Sequence, residues 1–186
     1  MIQTKRDMYA YISEDRKAYG KPETPTLRDR IRSWIFPDYN MEYMKYLRKL
    51  EYYTNTRSIL RFYYTKKLGR LKRLTGIQLE PNCAGPGLHI THGNIVVNPQ
   101  ARIGKQCKIM HNVTLGGEGR YDRTGAPTIG DRVFIGAGAQ IIGDIKIVDD
   151  VVIGANAVVV KDILEPGITV AGIPARKVSN ENSIIF

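Results

Sequence analysis

Cysteine is scarce in this sequence: Cys83 and Cys107 are the only two in 186 residues, and they form no CxxC pair. A disulfide framework is therefore not expected. No apolar run approaches the 18 residues that suggest a membrane-spanning helix, so none is expected. The opening stretch, MIQTKRDMYAYISEDRK, has charges where a secretory leader needs an apolar core, so a cytoplasmic rather than a secreted protein is expected. Histidine is also sparse, with three residues, yet two of them fall in LHITHGNIVV at 88–97. Acidic residues are few where basic ones abound. Residues 1–75 hold 18 Lys and Arg against 8 Asp and Glu, whereas residues 76–186 hold 10 of each. The whole net charge of +10 thus sits in the first segment. Such a concentration suits an anionic partner, whether membrane surface, nucleic acid or charged polymer.

Two regions with different periods follow. Residues 1–75 read as a basic α-helical segment. Thr26 and Asp29 resemble an N-cap and its partner before LRDRIRSWIF. Tyr43, Leu47 and Leu50 recur at helical spacing, as do Leu60, Tyr64, Leu68 and Leu71, with a break at TNTRS between them. The bland alternative is a helical cap with a solvated basic face. From residue 76 the period is six: Ile129, Ile135, Ile141, Ile147, Ile153 and Val159, with Val133, Ala139, Ile145, Val151 and Ala157 four residues after the first five. Val97, Ile103, Ile109 and Leu115 obey the same rule in an earlier phase. Neither a helix nor an alternating strand has this period, but a parallel β-helix does, each hexad forming one flat face. The two phases disagree by two residues, which places an extruded loop at 116–127. The domain is expected to run over 76–178, with 179–186 as a tail. Stacked hexads leave open ends that need caps, and the helical segment is expected to cover one.

A coil of this kind is only a scaffold, so function has to come from particular side chains. An imidazole near neutral pKa suits proton abstraction from a hydroxyl, which makes His92 a candidate general base. His89, three residues away on a strand, points to the opposite face and reads as structural. His111 lies outward between Ile109 and Val113.

The run HGNIVVNPQARIG…VTLGG…IGAGAQIIGDIKIVDDVVIGANAVVVKDI…AGIPAR resembles the hexapeptide-repeat acyltransferases, and within them the serine acetyltransferase branch, over about residues 76–178. That resemblance implies a mainly β, left-handed parallel β-helix, an acetyl-CoA donor with no metal, and a homotrimer with the donor in the groove between subunits. It places His92 as catalytic base, and Gly116, Gly117, Gly136, Ala137, Gly138, Ala139 and Ala155 along the donor, with Lys161 and Arg176 near its phosphates. Where the family carries an Asp that orients the base, this chain has Gln78, so either Glu80 two residues later takes that place or a backbone carbonyl holds the imidazole. His111, Asn94, Arg120 and Arg123 are candidate acceptor contacts. The family's D-R-H-P motif is replaced here by Thr124-Gly125-Ala126 before Pro127, which removes a partner for a zwitterion. On that ground the expected acceptor is a hydroxyl on a cell-surface polysaccharide sugar or its precursor, with the enzyme at the inner face of the membrane and no nucleic-acid partner. Three alternatives stand beside it: serine O-acetyltransferase of cysteine biosynthesis, a three-histidine zinc hydratase, and a scaffold without catalysis.

Overall fold

The computed structural model describes residues 1–117, 119 and 125–181. Among these residues, four helices lead into the coil: α1 (Lys5–Ala18), α2 (Leu27–Ile35), α3 (Tyr39–Asn55) and α4 (Leu60–Thr75). Two begin with a reciprocal cap. Thr4 and Asp7 close the start of α1, and Thr26 and Asp29 close α2, each pair satisfying helix-end N–H groups that have no partner inside the helix. The stretch TNTRS does break α3 from α4, with Arg57 in left-handed geometry at φ 53°, and α4 ends on Gly76 at φ 68°. Tyr43, Leu47 and Leu50 are buried as their spacing predicts. The stripe on α4 sinks only in its second half. Leu68 and Leu71 are buried, Leu60 is exposed, and Tyr64 lies stacked on Tyr53 at 4.9 Å.

The coil is a left-handed parallel β-helix with three faces. The first face stacks Ile77–Gln78, Ile95–Val97, Thr114–Gly116, Gln140–Ile142 and Val158–Val159. The second stacks Arg102–Ile103, Thr128–Ile129 and Lys146–Ile147, and the third runs from His89–Ile90 through Lys108–Ile109, Phe134–Ile135 and Val152–Ile153 to Thr169–Ala171. Ile135, Ile141 and Ile153 are wholly inside, with Ala139 and Ala157 filling the tight corners. Each rung is short, so the core is a ladder of one or two side chains per strand rather than a layer between sheets. Val97 pairs with Leu115, eighteen residues on, whereas Ile103 pairs with Ile129, twenty-six on. The excursion between Gly116 and Thr128 therefore removes eight residues from the coil, one hexad more than the two-residue phase shift alone implies.

The first rung has nothing beneath it, and the helices close that end. The Tyr43 hydroxyl donates to Leu79 O (2.8 Å) and accepts from Leu79 N–H (3.3 Å). The Tyr19 hydroxyl does the same at Ile90, at 2.9 and 3.2 Å. The Asp15 carboxylate accepts from Gly87 N–H (2.8 Å) and Leu88 N–H (3.1 Å). Arg48, completely buried, bridges Asp15 (2.8 Å) and Glu51 (3.2 Å) and donates to Ala84 O and Gly85 O at 2.8 and 2.6 Å. Burial pushes the Glu51 carboxyl up, and the neighbouring Arg48 pulls it back only in part. At the other end the strand Arg176–Ser179 turns back antiparallel on Thr169–Ala171.

Candidate active site

The register of the third face assembles the site. Ile90, Ile109, Ile135 and Ile153 occupy equivalent positions in successive rungs. Two residues beyond each, at the corner leading to the first face, come His92, His111, Ala137 and Ala155. One edge of the coil thus carries two histidines followed by two alanine corners. The His92 and His111 rings lie 5.7 Å apart, edge to face at 67°. His92 is exposed and His111 half-buried, and the Nδ1 of His111 is a buried atom without a hydrogen-bond partner among the described residues. Such an atom costs about 1–3 kcal/mol unless a bound group satisfies it.

Local sequence explains why His92 projects. Ile90 to Val97 spans seven residues where Ile109 to Leu115 spans six, so its corner carries one extra residue. The extra chain passes so near α4 that a Cβ on Gly93 would overlap Thr75 O, at 1.7 Å, which only glycine avoids.

The remaining candidates divide. Gly136–Ala139 and Ala155 form the two corners above His111, but close stacking by itself already requires Gly136, since a Cβ there would come within 2.6 Å of Ala155 N. Gly116 ends a first-face strand and Gly117 follows it. Lys161 and Arg176 share the lining of a small cavity of about 90 Å3 with Asp162 and Pro174. Asn94 takes the left-handed conformation at its corner, φ 60°, and donates its N–H to Thr75 O at 2.9 Å, a turn-forming position. Glu80 pairs with Lys72 on α4, which ties its carboxylate to the seam between helix and coil. Arg120 and Arg123 lie outside the described residues. His89 packs on Tyr19 at 4.4 Å and lines a cleft of about 420 Å3 whose walls include neither His92 nor His111. Burial and Lys108 hold its pKa below the ordinary value. Cys107 faces inward and burial pushes its thiol up to about 12, unsuited to nucleophilic work. Among the described residues no group of three His, Cys, Asp or Glu is placed to hold a metal ion.

Three residues bearing on this edge had no signal in sequence. Tyr19 clamps Ile90, Asn40 donates its side-chain amide to Thr91 O at 3.4 Å, and the buried Thr91 hydroxyl beside His92 has no partner among the described residues. Tyr19 and Asn40 act across 71 and 51 residues, a separation that no local pattern records.

Comparison with known proteins matches residues 126–161 to the bacterial transferase hexapeptide (six repeats) family. The serine acetyltransferase of Helicobacter pylori is 43% identical over 125 residues, covering 65% of this chain and 72% of its relative. The chain belongs to the serine acetyltransferase family. It is accordingly an acetyl-CoA-dependent O-acyltransferase. The serine acetyltransferase of Neisseria gonorrhoeae superposes with a TM-score of 0.75 at 31% identity, over 95% of this chain and 68% of that one. The Brucella abortus serine acetyltransferase in complex with coenzyme A gives 0.77 at 25%, over 95% and 70%. These relatives overturn the polysaccharide acceptor expected from the sequence. That expectation rested on the replacement of one loop motif by Thr124-Gly125-Ala126, whereas the Helicobacter pylori relative matches over 125 residues.

Proposed function

We propose that the chain is a serine O-acetyltransferase, moving the acetyl group of acetyl-CoA to the side-chain hydroxyl of serine, with His92 as general base. The observation that carries the reading is the 43% identity over 125 residues to a serine acetyltransferase. The corner geometry supports the role of His92, an exposed imidazole at the head of an edge whose next corners are small enough to admit a pantetheine arm. His92 removes the hydroxyl proton as the serine oxygen attacks the thioester carbonyl. The tetrahedral intermediate collapses with loss of the CoA thiolate, which takes the proton back from the imidazolium. Backbone N–H groups at the glycine corners stabilise the oxyanion, typically by about 3 kcal/mol per donor. His111, its ring 5.7 Å from that of His92, suits the acceptor side, and Lys161 with Arg176 suits the phosphates of the donor. An edge open to solvent also fits a site completed by a second copy, in a homotrimer.

The test is free-thiol release from acetyl-CoA with L-serine and with a panel of sugars. Serine turnover is expected, falling by roughly 10²–10⁴-fold in His92→Ala, while His111→Ala raises KM for serine more than it lowers kcat. Absence of serine turnover by the wild type overturns the reading.

A further inference from the structure

The helix α2 has no interior to face. None of its nine residues is buried, yet Leu27, Ile31, Trp34, Ile35 and the adjoining Phe36 are all large and apolar, between 53 and 84% exposed. A surface helix normally turns such residues onto a core. At 3.6 residues per turn, Leu27, Ile31, Trp34 and Ile35 fall within about 100° of the circumference. Arg30 borders this stripe on one side, and Arg28 and Arg32 border it on the other, all three exposed. Asp29 is the only acid in the helix, and its carboxylate is taken by the N-cap, accepting from Thr26 N–H at 2.9 Å. The reciprocal cap satisfies N–H groups at the start of the helix. Pro25 and Pro37 bracket it.

We propose that α2 is an interfacial membrane anchor that lays its Leu27–Ile31–Trp34–Ile35 stripe into a bilayer rich in anionic lipid, its flanking arginines on the headgroups. An apolar stripe bordered by Arg and carrying a Trp is the pattern of helices that lie in the interface plane. Charge selects the occupant. The first 75 residues carry 18 basic against 8 acidic side chains, so pairing this face with itself in a second copy sets arginine against arginine. An anionic lipid surface satisfies apolar stripe and arginines together. No helix among the described residues is long and apolar enough to cross a membrane, so the contact is one of lying on the surface.

Trp34 is the sole tryptophan, which makes its fluorescence a direct report on this face. The experiment mixes the full chain with vesicles of phosphatidylcholine alone or of phosphatidylcholine with phosphatidylglycerol. Expected is a blue shift of Trp34 emission, with co-sedimentation, only on the anionic vesicles, weakening as salt is raised. The combined variant Arg28→Gln, Arg30→Gln, Arg32→Gln should lose about fivefold in partitioning per arginine, roughly 100-fold together, and Ile31→Glu should not sediment. Both variants should keep acetyl-CoA turnover in solution, which shows that they fold. Three results overturn the proposal: no shift on anionic vesicles, an equal shift on neutral ones, or emission already blue in buffer that follows a concentration-dependent doubling of mass, which would assign the face to a second copy.

Discussion

Inside the coil, each rung passes its backbone hydrogen bonds to the next, and the side chains have only to be apolar and of the right size. At the seam with the helices no next rung exists. There Arg48, Asp15, Tyr43 and Tyr19 reach in to take the places that a strand would have taken. The same backbone need is met in one region by repetition and in the other by individually placed polar groups. Repetition tolerates exchange among apolar residues; the seam does not, because each polar group there is buried with a single set of partners.

Substitutions sharpen that contrast. Arg48→Ala leaves Asp15 and Glu51 buried without their cation and should cost about 3–5 kcal/mol, seen as a large fall in urea midpoint. Tyr43→Phe keeps the ring but strands the N–H and C=O of Leu79, and about 1–3 kcal/mol is expected from the same measurement. Ile135→Val, in the middle of the ladder, should cost only about 0.5–1.5 kcal/mol. If Ile135→Val were the most damaging of the three, the contrast between seam and coil would collapse. The smallest effect belongs to His89. Its folded pKa lies below the ordinary 6.5 because burial and Lys108 oppose its charged form. The unfolded chain therefore binds the proton more readily. The stability this histidine contributes is intact above about pH 6.5 and is lost as pH falls through the lower folded value. His89→Gln should flatten that part of the stability–pH curve.

The coil was legible from the period of six because every rung repeats one solution, with Ile141 and Ile153 inside and Ala139 and Ala157 at corners. The helical stripes were read well where a layer lay beneath them, as at Leu47, and badly where none did, as at Leu60. The seam left no trace, since Tyr19 and Ile90 meet only after the chain has folded back over 71 residues. Glu80 was read as partner to the base because sequence records its nearness along the chain to Gln78, whereas Lys72 on α4 reaches it in space. The acceptor was misjudged for a different reason: one loop that departs from a motif was given more weight than the run of matching positions along the coil.

The stacking of His92, His111, Ala137 and Ala155 along one edge also makes the molecule a ruler. Strands in register lie about 4.8 Å apart, so the rungs that carry the corners of that edge are spaced by whole steps of that size. Ala155 stands three steps from His92, about 14 Å. The distance between the base and whatever rests on the later corners can therefore change only by adding or deleting a rung, and not by drifting. Reach in this architecture is digital.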